Sequence, residues 1–268
     1  MRRSTDPRDY QHTARPVAAM PKDFPPGTHI PPHRHERAQL VYAVSGVMRV
    51  TTPVGTWIVP PQRAVWIPPG TEHEIRMVGA VAMRTLYVAA ATAKRLSTQC
   101  RVIDVSPLLR ELILAAMAEP VDYPPRSRGA AVATLLLQEL GIVEALPLHL
   151  PQPRDAKLQA VCKAITDNIS GETGLDDFAR DAGMSSRTLA RLFRRETGMG
   201  FQQWRQQARL AEALARLSDG QPVGVIAADL GYASPAAFTA MFRRCLGTTP
   251  SRYFSATAPS PGAPARSR

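Results

Sequence analysis

The sequence predicts an α+β chain in three parts: an antiparallel β-sandwich or small barrel, a helical connector, and an all-α region built from two copies of one helix pair. Three observations carry this. Between residues 17 and 88, short β-branched and aromatic runs are cut by Pro and Gly roughly every ten positions, which marks a compact antiparallel sheet. From Ser106 the apolar residues change to helical spacing. Further on, SSRTLARLFRRETG, from Ser185 to Gly198, recurs in outline as ASPAAFTAMFRRCLG, from Ala233 to Gly247.

Taken in order, LVYAVSG, VMRVTTPVG, TWIVPP, AVWIPPG and AMRTLYV supply the strands. In SPLLRELILAAM, Ser106 stands as an N-cap with Pro107 at the first helical position; RGAAVATLLLQELGIVEAL follows, so two helices are expected between 106 and 146. LPLHLPQPRD, with Pro147, Pro151 and Pro153, reads as a linker. In DAKLQAVCKAITDNIS, Leu158, Val161, Cys162, Ile165 and Ile169 form one helical stripe, which puts Cys162 in a core. The expected division is 1–95 for the barrel, 96–153 for a connector and linker, 154–256 for the duplicated helical domain, and 257–268 for a disordered tail by composition.

Composition narrows the function classes. The 268 residues suffice for two modest domains, and 33 Lys plus Arg against 22 Asp plus Glu leave a net charge of +11, which makes an anionic partner worth testing. The surplus is spread along the chain, so the placement of individual arginines decides the matter. Cys100, Cys162 and Cys245 form no C-x-x-C pair, which fits reduced cytoplasm better than a disulfide framework or zinc knuckle. No run of eighteen apolar residues suggests a membrane span. No nucleophile elbow, phosphate-cradling Gly loop or Ser/His/Asp layout is evident.

The repeat is detailed. Leu175, Phe178, Ala179, Ala182 and Gly183 align with Val223, Ile226, Ala227, Leu230 and Gly231; beyond the turn, Leu189, Leu192, Phe193 and Gly198 align with Phe238, Met241, Phe242 and Gly247. Each copy is a short helix, a turn with a Gly suited to the left-handed region, a capping Ser and a second helix, the layout of a helix-turn-helix. On the second helix of the first copy, Leu189, Leu192 and Phe193 share one sector while Arg187, Arg191, Arg194 and Arg195 gather opposite. Arginine there suits base or phosphate contacts, because its planar fork makes paired hydrogen bonds to guanine O6 and N7 or to phosphate oxygens. FQQWRQQARLAEALARL, Phe201 to Leu217, joins the units as one helix with Trp204, Leu210, Ala211, Leu214 and Leu217 inward. Its length of roughly 25 Å would set the second helices about one DNA turn apart, near 34 Å.

Residues 155 to 254, and GYASPAAFTAMFRRCLGTTPSRYF above all, resemble the DNA-binding domain of AraC/XylS-type transcriptional regulators. The resemblance implies DNA contacts at Ser186, Arg187, Ala190 and Arg191 in the first unit and at Pro235, Ala236, Ala237 and Ala240 in the second. Alanines donate no hydrogen bonds, so the second unit is expected mainly to hold the backbone through Thr239, Arg243 and Arg244. Thr188, Arg194, Arg195 and Ser234 complete the candidate interface. The implied protein is no enzyme; its partners are promoter DNA, a small-molecule effector, RNA polymerase and a second copy paired through the 106–146 helices. Its targets would be neighbouring transporter or catabolic genes.

GTHIPPHRHERAQLVYAVSG resembles the first cupin motif, with Gly27, His33, His35, Gln39 where that motif usually has Glu, and Gly46. PPGTEH supplies Pro68, Gly70 and His73 of the second, whose leading Gly and final Asn are here Gln62 and Met77. Residues 33 and 35 would alternate onto one strand face and a barrel would bring His73 beside them, giving three imidazoles suited to Zn, Ni, Fe or another divalent ion. The alternative is that they are structural or line a pocket without metal. A metal-dependent cupin enzyme, an oxygenase or isomerase, is the alternative function. Trp57, Trp66, Tyr42 and Tyr87 read chiefly as core, Glu72 and Glu74 as solvent- or cavity-facing, and His12, His29 and His149 as loop residues.

Overall fold

Alternation along one long strand decides which layers meet. The computed structural model describes residues 4–143, 145–146 and 148–255, and in it β3 (Ala38–Thr52) lies between β6 (His73–Val88) and, in succession, β5 (Arg63–Ile67) and β4 (Gly55–Val59). Val41, Ala43, Met48 and Val50 of β3 belong to one buried cluster, whereas Leu40 and Tyr42 belong to another, as period-two side chains require. β3 bends where its register with β6 shifts on either side of Ser45. Gly46 makes the bend: its φ is +77°, and a Cβ there would lie 2.2 Å from the Ala80 carbonyl oxygen.

The antiparallel sheet runs β1 (Val17–Phe24), β6, β3, β5, β7 (Arg101–Asp104) and β8 (Ala145–Leu146); β2 (His29–His33) pairs with β6, and β9 (His149–Pro151) with β4. The stretch LPLHLPQPRD, expected as a linker, therefore includes an edge strand at His149–Pro151. Pro151 is tolerated because β9 has a single neighbour. β6 is also twice the length that AMRTLYV suggested.

One face of the sheet is filled by Met48, Trp57, Ile75, Met77, Met83 and Tyr87, all buried. The other is covered by α2 (Pro107–Ala118) and α3 (Arg128–Ile142), which follow the short α1 (Ala90–Ala93). Ser106 Oγ accepts from Leu109 N at 3.1 Å with Pro107 at the first position, the cap the sequence predicts. Leu109, Ile113, Leu136 and Leu140 pack on Leu40, Tyr42 and Trp66. Among the described residues, no helix is long and apolar enough to cross a membrane.

The C-terminal helices are α4 (Ala156–Asp167), α5 (Leu175–Asp181), α6 (Ser186–Thr197), α7 (Phe201–Ser218), α8 (Val223–Asp229), α9 (Pro235–Leu246) and α10 (Pro250–Ser255). Leu158, Val161, Cys162 and Ile165 are buried in one cluster with Leu189, Phe193 and Trp204, so Cys162 is a core residue; Ile169 lies just beyond α4. The predicted inward residues of α7 are all buried, but against two partners. Trp204 joins the first unit, whereas Leu210, Ala211, Leu214 and Leu217 share a cluster with barrel residues and with Phe238 and Phe242 of α9. Trp204 Nε1 donates to Pro151 O at 3.0 Å, and Tyr253 Oη to Pro61 O at 3.4 Å. α7 is thus docked on the barrel as well as spanning the two units.

Candidate nucleic-acid interface and metal centre

Local chemistry builds each helix-turn-helix. In the first, α5 ends in a turn where Gly183 takes φ +64° and Met184 N donates to Ala179 O at 2.9 Å. Ser185 Oγ then accepts from Thr188 N at 3.2 Å and starts α6. Leu189 and Phe193 are fully buried, the latter edge-on to Phe201 at 5.6 Å. With that face anchored, Arg187, Arg191, Arg194 and Arg195 are exposed, and among the described residues only Arg195 is drawn aside, to Glu196 at 3.2 Å. Ser186 donates to Asp176, and the Thr188 and Ser185 hydroxyls lie 2.9 Å apart, so both polar side chains at the start of α6 have local partners. Ala190 is half-buried between the two faces.

The second unit repeats the construction: Gly231 at φ +74°, then Ser234 Oγ accepting from Ala237 N at 3.1 Å. Phe238, Met241 and Phe242 are buried, leaving Pro235, Ala236, Ala237, Ala240, Arg243 and Arg244 exposed and Thr239 half-exposed. Between α7 and the second unit lies a basic groove of about 300 Å³ that the apolar periodicity of α7 does not reveal, lined by Arg205, Arg209, Tyr232 and Arg244 among others. Arg205 stacks on Phe201 and Arg209 on Tyr232, with centroid distances of 5.1 and 5.7 Å. Their i, i+4 spacing is visible in the sequence, but the apolar stripe of α7 does not show that this second face borders a groove.

In the barrel, His33 pairs in register with His73 across β2 and β6. His35 lies outside β2, not on a common strand face as the alternation suggested; Gly70 N donates to His35 O at 2.8 Å and holds it beside the turn that precedes His73. The three rings converge, with centroids 4.3 Å (33–73), 4.9 Å (33–35) and 5.5 Å (35–73) apart. Burial, then the neighbouring imidazoles, holds His35 down to about 4; burial likewise holds His73 to about 4, against the opposing effect of its bond to Thr71. Both are neutral near pH 7.

The donor set fits a divalent ion. His73 Nδ1 lies 2.9 Å from Thr71 O and His33 Nδ1 2.8 Å from Pro31 O; donating there turns each Nε2 lone pair inward. Among the described residues, Nε2 of His35 and of His73 are buried without a hydrogen-bond partner, a costly arrangement unless a proton donor or a metal ion engages their lone pairs. One nitrogen from each ring lies within 4.8 Å of the others, and a small ring rotation reaches the N···N spacing of about 3.4 Å implied by metal–nitrogen bonds of about 2.1 Å. Gln39 is buried beside them: its Nε2 donates to Tyr87 Oη at 3.5 Å, and the Tyr87 ring is edge-on to His35 at 5.2 Å.

The remaining candidates fall outside this cluster. Glu74 is engaged by His29 Nε2 at 2.9 Å. His29 opens β2 and His149 lies in β9, stacked 4.4 Å from Trp57, so neither is a loop residue as expected, because the loops containing them are strands. His12 is exposed, 4.0 Å from Glu36. Trp57, Trp66, Tyr42 and Tyr87 are all core.

A barrel with a convergent polar cluster, joined to two arginine-bearing helix-turn-helix units, has the architecture of a ligand-responsive DNA-binding protein. Comparison with known proteins gives the same class. Residues 24–143 match the AraC-like ligand binding domain and 178–256 a helix-turn-helix domain. The chain is 36% identical over 225 residues to the HTH-type transcriptional regulator NimR of Escherichia coli, covering 84% of this chain and 82% of that protein. It is 38% identical over 104 residues to the HTH-type transcriptional regulator RipA of Corynebacterium glutamicum, covering 39% and 31%. A crystal structure of ToxT from Vibrio cholerae overlays at a TM-score of 0.40 with 8% identity, covering 91% of this chain and 99% of that one. The chain belongs to the AraC family of helix-turn-helix transcriptional regulators. Its relatives are regulators and give the enzyme alternative no support.

Proposed function

We propose that the two units divide the work on DNA: α6 reads bases through Arg187 and Arg191, with Arg194 and Arg195 on flanking phosphates, while α9 holds the backbone through Thr239, Arg243 and Arg244 and offers Pro235, Ala236 and Ala240 to thymine methyl groups. The observation that carries this is the α6 face, where four arginines are exposed over a fully buried Leu189 and Phe193. Arg205 and Arg209 extend the basic surface beside the second unit. Ser186, Thr188 and Ala190 of α6 and Ser234 at the start of α9 complete the interface, the serines and threonine serving first as caps and local hydrogen-bond partners.

On this reading residues 154–256 bind promoter DNA and residues 1–95, with strands from 101–104, 145–146 and 149–151, sense an effector. His33, His35 and His73 would hold a divalent metal, with Gln39 at the edge of the site; such an ion supplies Lewis acidity and a coordination point for a ligand. The connecting helices α2 and α3 pair two subunits: Leu108, Leu135 and Ile142 are exposed apolar residues on them. The protein acts in the cytoplasm, in keeping with its three free cysteines, and contacts RNA polymerase where its operator abuts the promoter. Its targets include a neighbouring transporter or catabolic gene.

The test is footprinting of the full chain on fragments it enriches from its native genome. Protection of two successive major grooves, about 34 Å apart, is expected for each subunit. A footprint confined to one groove would defeat the two-unit reading.

A further inference from the structure

Charge balance at the imidazole cluster limits what else can bind there. Among the described residues, no aspartate, glutamate or cysteine joins His33, His35 and His73. Where the resembled motif carries Glu, this chain has Gln39, and the amide is buried and hydrogen-bonded to another neutral group, Tyr87. Of the acidic side chains nearby in sequence, Glu74 is engaged by His29 at 2.9 Å, Glu36, largely exposed, lies opposite His12 at 4.0 Å, and Glu72 is exposed and outside the imidazole cluster. A divalent ion held by three neutral rings keeps its whole double charge, and a charge withdrawn from water is costly unless a counter-charge comes with it. Three protein donors also leave a tetrahedral ion one open position.

Access and size set the next limits. His33 and His35 are half-exposed while His73 is buried, so the cluster opens to solvent on one side. Inward, Met48, Ile75, Met83 and Tyr87 are among the side chains that fill the barrel, which leaves room for a small group only. The larger cleft of about 650 Å³ between the barrel and α4 and α7 offers a different chemistry. Its cations are already matched: Arg49 with Glu212, Lys163 with Asp167, Arg216 with Glu212 and Asp229.

We propose that the His33, His35 and His73 site, holding a divalent ion, takes a small anion with an oxygen or nitrogen donor, carboxylates being the leading class, as its exchangeable ligand. The inference rests on the metal reading of the cluster, and Gln39 is its determinant: a glutamate there would supply the negative charge that the ligand must otherwise bring.

The experiment uses full-length protein loaded with Co(II), read by visible absorption and titrated with acetate and with azide, against acetamide as a neutral analogue and perchlorate at matched ionic strength. Saturable band shifts with acetate and azide, and none with acetamide or perchlorate, are expected. Gln39→Glu should keep the cobalt bands and weaken both titrations by about tenfold or more, since a fixed charge nearby opposes a second one; should that variant misfold, the native titration decides. Cobalt bands that vanish in His73→Ala yet ignore both anions would overturn this inference and leave the metal reading intact. Failure to bind Co(II), or uptake unchanged in His33→Ala and His73→Ala, would remove the metal reading and the inference with it.

Discussion

Arg49 of β3 donates to Glu212 of α7 at 3.4 Å, which ties a strand of the sensing barrel to the helix that spans both DNA-binding units. The two side chains are 38% and 35% exposed, so water screens the pair and its removal should cost under about 1 kcal/mol. Leu214, two residues beyond Glu212 on α7 and fully buried in the cluster shared with the barrel, is a different matter. Leu214→Ala is expected to cost about 2–5 kcal/mol in urea unfolding and Arg49→Ala far less. The reverse order would mean that charge, not apolar burial, holds the two halves together.

On DNA the two second helices should respond differently. Arg191→Ala is expected to lose about 1–3 kcal/mol of discrimination between operator and mismatched sites. Arg243→Ala should weaken binding to all duplexes alike and reduce the salt slope by about 0.9. Competition binding at several salt concentrations checks both; equal loss of discrimination in the two variants contradicts the division of labour.

Much of this interface was legible because each signal has a local cause. Ser185 and Ser234 cap their helices, and Gly183 and Gly231 take positive φ, as these residue types favour in a turn before a helix. Burial of Leu189 and Phe193 then dictates which way the arginines face. What was not legible depends on distant partners. The stripe of Leu210 and Leu214 tells that one side of α7 is covered, not that a barrel covers it. Pro151 and Pro153 read as chain breakers because nothing local reveals that β4 has a free edge for β9. The histidines were found by spacing, yet for a partly wrong reason, since His35 is held by Gly70 N beyond the end of its strand.

His149 gives a pH test away from the imidazole cluster. Burial holds its imidazole below the ordinary value. As pH falls through about 6.5 the unfolded chain takes up a proton that the folded chain refuses, so stability is lost progressively below that pH. His149→Phe keeps a ring against Trp57 and removes the titrating nitrogen. Relative to wild type, the variant should gain in unfolding free energy between about pH 7 and pH 5; a difference that does not vary with pH would contradict the assignment.

Pairing through the connector is open to an equally direct check. Leu108 and Leu135 are 55% and 47% exposed on α2 and α3. A Leu108→Asp, Leu135→Asp double variant is expected to run as a monomer in light scattering at micromolar concentration, with thermal unfolding changed little because neither side chain is buried in the subunit. A native protein that is itself monomeric under those conditions contradicts the pairing.

The most direct measurement on the central claim, that the duplicated helix pairs read DNA, is competition between an enriched genomic segment and its scrambled duplex for the full chain at physiological ionic strength. The expected result is preference for the native segment by a thousandfold or so, with log K falling linearly against log salt as several phosphates are neutralised. Equal affinity for the two duplexes would contradict it.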